Sequence, residues 1–263
     1  IQWIQDEKFN DVSLNLRVLI PLRKFDRTVA NLLSKMMGDR LINNPSKESM
    51  SQRLDMLYGL KLRSSTYVLG KYQVIDLQAY GINEKFVDED LLYQQVAVLS
   101  EMLKEPLLND ALLDEAKKNL RMQHQRLKEN HSQQAVLNAM NIAGKNQFLS
   151  LSSIGDLSDI DKIDLNVIKD FHQRVLNEFP KVLTIVGDVE KIDISDLFSD
   201  ISMLEFEIPY SASDIEPKRI EEFHSGSQTE LILLYDIDLE PNSKDSVAMM
   251  LYTAYIGQLP TSV

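Results

Sequence analysis

Few residues in this chain have types and spacing suited to chemistry, and three of them share one short stretch, Ala30-Asn31-Leu32-Leu33-Ser34-Lys35-Met36. On a helix, Asn31, Ser34 and Lys35 stand within one turn of one another, the spacing that lets side chains share a metal ion or a substrate atom. The residue types do not suit such work. Asn is a poor zinc ligand, Ser is no base without help, and Lys is a cation at neutral pH where another cation would have to bind. The four histidines offer little more. His124 and His131, with Glu129 between them, read as lying on one helix about two turns, or ~10 Å, apart, too far to share an ion. They read as solvent-side residues, as do His172 in a charged amphipathic helix and His224 in a linker. The acidic run Asp156, Asp159, Asp161, Asp164 lacks the glycine and final glutamate of a calcium loop and reads as helix capping and loop solvation. Ile185-Val186-Gly187-Asp188-Val189 is a strand end with no phosphate-loop pattern around it.

Composition narrows the function classes. With 28 Lys and Arg against 40 Asp and Glu, the net charge of −12 argues against an electrostatic grip on nucleic acid. No apolar run approaches the roughly 20 residues of a membrane helix, so the chain is expected to be soluble and cytoplasmic, with no membrane partner. Zero cysteines exclude disulfides and thiolate metal sites within these 263 residues. The chain starts at Ile1 and stops at Val263, and it is expected to be a piece of something longer.

The elements that must position Asn31, Ser34 and Lys35 follow from hydrophobic periodicity. Val12 to Leu22 alternates as a strand. A helix with Asp26 as candidate N-cap follows, with Val29, Leu32, Leu33, Met36 and Met37 inward and Gly38 near its end. Ser46 caps a second helix that Gly59 breaks, and 61–82 forms a hairpin about Leu69-Gly70-Lys71. Helices are expected over 88–104, 110–130 and 133–148, then one capped near Asp164. A strand at 181–187, a short helix at 195–200 and a strand at 204–208 follow. Tyr58, Tyr67 and Tyr72 cluster around the hairpin and are expected to pack on the sheet. The fold class is α+β, a mostly antiparallel sheet with helices on one face.

The chain then starts again. Pro209, Pro217 and the His224 to Ser227 stretch mark a linker over 209–227, between a first domain at 1–208 and a second at 228–263. Beyond it, Glu230 to Leu259 repeats the order strand, turn, helix, and the pairs Val29-Ala30 and Val247-Ala248 coincide when the two units are aligned with small gaps. The expectation is a duplicated domain whose second copy is incomplete. Both Met36-Met37 and Met249-Met250 are expected in cores.

The helix "TVANLLSKMM", the "LDMLYG" at Leu54 to Gly59 with the hairpin after it, "LSEMLKEPLL" at Leu99 to Leu108 and "VLTIVGDV" at Val182 to Val189 together resemble the insulinase-like metallopeptidases. That family includes pitrilysin and the mitochondrial processing peptidases, and the resemblance is strongest to bacterial members. It implies a zinc site built on an inverted H-x-x-E-H motif, with a third ligand from a later helix. Carried over, the first His position is Asn31, the general-base Glu is Ser34 and the second His is Lys35. The third ligand falls near Met122 to His124, where no carboxylate stands between Glu115 and Glu129. The resemblance therefore implies a non-catalytic homologue, binding no metal or other cofactor itself, that shapes a peptide-binding chamber. Its implied partners are a peptide or unfolded protein substrate and a zinc-bearing paralogue in a heterodimer, or a further copy of itself. The alternatives are an active zinc peptidase with its metal site elsewhere in a longer chain, and a scaffold of this fold with no peptide role.

Overall fold

Alternation along Asp11–Pro21 sends Val12, Leu14, Leu16, Val18 and Ile20 into the core and turns Ser13, Asn15 and Arg17 to the other face. This strand, β2, is central in a five-stranded sheet of order β1-β5-β2-β4-β3, with β1 at Gln2–Gln5, β3 at Lys61–Leu69, β4 at Tyr72–Ile82 and β5 at Lys181–Gly187. Three of its four pairings are antiparallel, and β1 runs parallel to β5. Strand β1 is short and mostly exposed, so it carries no alternation from which the sequence could announce it. The computed structural model describes residues 1–87, 89–144, 148–201, 219–223, 229–235, 237, 239 and 243–257.

Helices cover one face of the sheet. Helix α1 (Lys24–Met37) packs on β3 and β4, and α3 (Leu91–Lys104) packs on β4 and β2. Between them in sequence lies α2 (Lys47–Met56), closed by a capping box in which Ser46 and Ser49 bond each other's backbone N–H. Helix α4 (Asp110–Glu129), capped by Asn109, lies against α1, and α6 (Leu165–Asn177), capped by Asp164, packs on α1 as well. Arg23, not Asp26, is the N-cap residue of α1. Its extended backbone starts the helix at Lys24, and Asp26 sits inside the first turn, where its carboxylate suits the helix dipole and meets Arg174 at 3.4 Å. Gly70 turns the β3–β4 hairpin at φ +56°.

These elements form one compact unit, Ile1–Asn130 with Leu151–Phe206. A second unit comprises His131–Ser150 and Glu207–Val263. It holds α5 (His131–Ala143), which ends earlier than its sequence pattern suggested, and a one-turn 3-10 helix at Phe148–Ser150. It also holds α7 (Lys244–Gly257), whose start is fixed by the Ser243 hydroxyl accepting from Ser246 N–H at 3.1 Å. Residues 230–235, expected as a strand, are irregular, because no neighbour pairs with them among the described residues. Met36 and Met37 are buried as expected, but Met250 is 72% exposed: α7 is apolar around its circumference and nothing described in its unit covers it. The expected strand at 204–208 and most of the 209–227 stretch, His224 included, lie outside the described residues.

His172 corrects the surface reading. It stands one turn after Ile168 and shares the buried face of α6 with Phe171 and Val175, so the helix takes it inside, 5% exposed. Its Nε2 lies 2.7 Å from the Leu103 carbonyl at the end of α3, which fits the neutral ring donating from Nε2. Burial holds its pKa below the ordinary 6.5, with the Leu103 bond opposing. The unfolded chain therefore takes up a proton first as pH falls below about 6.5, and stability drops there. Urea unfolding at pH 7 and pH 5.5 is expected to show a larger loss for the wild type than for His172→Gln, which keeps a donor for Leu103 but no titration. Equal losses would show that His172 is not the group responsible.

Candidate functional site

The polar residues of α1 form a stripe, Arg27, Asn31, Ser34 and Gly38, spaced so that they lie along one side of the helix. The stripe faces protein rather than water. Arg27, Asn31 and Ser34 are 2%, 5% and 2% exposed, so each must find partners within the fold. The Asn31 amide donates to the carbonyls of Ser153 and, at 3.3 Å, Arg27, and its Oδ1 accepts from the Thr66 hydroxyl at 2.9 Å. Ser34 Oγ lies 2.7 Å from Ser64 Oγ on β3. Gly38 lets the helix end come close to that strand, since a Cβ there would stand 2.8 Å from the Cβ of Ser64.

A segment at 152–156 lies along the N-terminal half of this stripe. Arg27 donates to the Ser152 carbonyl and pairs with Asp156 at 3.1 Å. Asp156 N–H donates to the Thr28 hydroxyl at 3.0 Å, and Gln73 from β4 donates to the Ser153 carbonyl at 3.2 Å. Gly155, at φ +78°, is pressed so close that a Cβ would meet Thr28 Oγ1 at 2.4 Å. Burial works against the Arg27 charge, and Asp156 and Asp159 offset it. Arg27, Thr66 and the 152–156 segment escaped the sequence reading. The signal available was the i, i+4, i+7 recurrence of polar residues on a helix that had to be buried on its other sides.

Lys35, one turn after Asn31, reaches α4 instead. Its Nζ donates to Gln123 Oε1 on α4 at 3.1 Å, and burial holds its pKa below the ordinary value. This contact puts position 123 opposite α1, so of the span Met122 to His124 it is Gln123 that meets Lys35. Beside Lys35 a cavity of about 300 Å³ opens between α1, β3 and α4, lined in part by Ser34, Ser64, Glu115 and Asn119. At its rim Glu115 is paired with Lys47 at 3.1 Å and Arg40 at 3.3 Å, and those cations hold its pKa below the usual carboxylate range.

The other sequence candidates are dispersed. His124 is on α4 and His131 begins α5, in different units, because α4 stops at Glu129. His124 is half-buried, with Nε2 sealed from solvent and unpaired, and burial pushes its pKa down, partly offset by the Asp156 charge. The acidic run is split among separate tasks. Asp156 holds Arg27, Asp159 pairs with Lys162, Asp161 pairs with Arg121, and Asp164 caps α6. Tyr67 is half-buried and its pKa is raised by burial, whereas Tyr58 is 48% exposed in a left-handed backbone (φ 58°), with its hydroxyl donating to Glu89.

The donor set does not suit zinc. Asn31 has spent both its amide hydrogens and its oxygen on protein partners, Ser34 is paired with a serine, Lys35 is a cation, and Gln123 is neutral. Among the described residues no three His, Asp or Glu side chains are grouped to hold a metal. No described helix is long and apolar enough to cross a membrane.

Comparison with solved structures decides the fold. A conserved protein from Enterococcus faecalis V583 superposes with a TM-score of 0.71 at 21% identity, over 77% of this chain and 49% of that one. A peptidase M16 inactive domain from Pseudomonas fluorescens superposes at 0.60 with 16% identity, over 80% of this chain and 51% of that one. The chain has the insulinase-like, M16 peptidase fold. No protein-family model matches the sequence. Over 97% of its length the insulinase-like chain is 22% identical to the "Probable inactive metalloprotease YmfF" of Bacillus subtilis (strain 168), and it spans 63% of that protein's length.

The hydrogen bonds of Asn31 make a direct prediction. Asn31→Ala removes the acceptor of the Thr66 hydroxyl and one of the two donors to the Ser153 carbonyl, leaving it Gln73 alone, at a cost of about 1–3 kcal/mol. Urea unfolding is expected to show that loss, and amide exchange at 154–156 is expected to speed up more than exchange in β4. A neutral substitution with unchanged exchange would show that Asn31 does not hold the segment.

Proposed function

We propose that this chain is a non-catalytic insulinase-like homologue that shapes a peptide-binding chamber and works with a zinc-bearing paralogue in proteolysis or peptide processing. The observation that carries this reading is the set Asn31, Ser34, Lys35 and Gln123. At the positions where the fold's zinc motif and third ligand would stand, the side chains are committed to one another and to the protein. The similarity to a protein named as an inactive metalloprotease, and to a domain described as inactive, supports it. The chain itself holds no zinc and polarises no water.

Strand β3 supplies the means of capture. It is an edge of the sheet, and an extended peptide can add to such an edge through main-chain hydrogen bonds. Ser64 and Thr66 of β3 face Ser34 and Asn31, so a peptide paired there runs past the altered motif. The net charge of −12 favours basic peptides over the surface as a whole. Residues 228–263 are, on this reading, the start of a second domain homologous to 1–208, with α7 ending at Gly257 as α1 ends at Gly38.

The reading is tested on the full-length protein isolated from its native source. It is expected to carry less than about a tenth of an equivalent of zinc, to hydrolyse no peptide alone, and to co-purify with an H-x-x-E-H paralogue whose peptidase activity falls when the two are separated. Stoichiometric zinc with hydrolysis by the isolated chain would refute it. A stable assembly containing no peptidase would instead support a scaffold.

A further inference from the structure

The charges around the cavity beside α1 do not balance locally. Glu115 is answered by Lys47 and Arg40, and Asp39 by Arg40 at 3.2 Å. Lys35 remains. The one hydrogen bond described for it goes to the neutral Gln123 oxygen, and no carboxylate lies within ion-pair distance of it among the described residues. An ammonium has three rotatable donors, so two remain beyond Gln123, and Lys35 lines the cavity. Neutral donors stand nearby. In the Ser34–Ser64 hydroxyl pair one O–H donates to the other and leaves the second free, and Asn119 adds an amide. With Lys47 held by Glu115 and Arg63 near Asp76, one uncompensated cation among neutral donors suits a monoanion better than a phosphate, which draws on several uncompensated charges. A volume of about 300 Å³ admits the end of a peptide and little more.

We propose that this cavity is a carboxylate subsite, in which Lys35 binds the C-terminal or acidic side-chain carboxylate of a peptide lying along β3. The subsite rests on the peptide-capture reading and gives it a selectivity opposite to that of the whole surface: the acidic chain repels carboxylates at large and accepts one at this place. Lys35 thereby fills a cation's position without a metal, holding an anionic group where hydrolysis would have required a polarised water.

Three peptides test this by calorimetric titration of the full chain: acetyl-trialanine with a free C-terminus, its C-terminal amide, and the amide with one Ala replaced by Glu. The free acid is expected to bind about tenfold to a hundredfold more tightly than the plain amide, the range that a hydrogen bond to a charged group confers. Lys35→Met is expected to abolish that preference and Lys35→Arg to keep most of it, with unfolding curves confirming that both variants are folded. Binding of the Glu-containing amide as tightly as the acid shows that a side-chain carboxylate is accepted, and weaker binding confines the subsite to C-termini. The preference stands in both cases. Equal binding of acid and amide, or a preference that survives Lys35→Met, overturns the subsite while leaving peptide capture intact. An absence of binding by every peptide removes the capture reading and the subsite with it.

Discussion

Ten of the fourteen residues of α1 are buried, and this burial governs everything around the altered motif. A helix enclosed by a sheet on one side and two helices on others cannot leave a polar side chain unanswered without losing about 1–3 kcal/mol for each. Leu32, Leu33 and Met36 meet that demand by being apolar. Arg27, Asn31 and Ser34 meet it by drawing in the 152–156 segment, Thr66 and Ser64. A metal-binding version of the same helix would satisfy the same demand with an ion. In this chain the buried stripe is satisfied by hydrogen bonds.

That solution has electrostatic consequences. A zinc ion bound by two neutral histidines at positions 31 and 35 would leave a dication in the C-terminal half of α1, on the side that meets α4. Here the cation that reaches α4 from the motif helix is an ammonium, Lys35, held to Gln123. A dication lowers the pKa of bound water and activates it, whereas an ammonium donates hydrogen bonds and attracts anions. On the proposed reading, the change of charge carrier exchanges reaction for binding and leaves the apolar side of the helix buried.

Much of the architecture was legible because its elements are strongly periodic. Strand β2 alternates, α1 and α6 are amphipathic, the Ser46 and Asp164 caps are local signals, and Gly70 marks its hairpin. Strand β1 was not legible, because four mostly exposed residues gain their conformation only by pairing with β5. His172 was misread because the charged residues beside it in sequence lie on a different face of α6. The placing of His124 and His131 on one helix failed because α4 ends two residues before His131. Asn31, Ser34 and Lys35 could be singled out by position and type, but their partners could not. Apart from the Arg27 carbonyl one turn back, those partners lie 30 to 122 residues away, and only the fold brings them together.

The central claim of the proposal is that positions 31, 34, 35 and 123 correspond to the zinc motif and third ligand of the insulinase-like fold and are filled by groups that cannot use a metal. The quadruple change Asn31→His, Ser34→Glu, Lys35→His, Gln123→Glu tests it most directly, with zinc bound per folded chain as the measurement. The account predicts about one zinc per chain in the quadruple variant and far weaker binding when Gln123 is left unchanged, because position 123 supplies the third protein ligand. A folded quadruple variant that binds no more zinc than the wild type would contradict it.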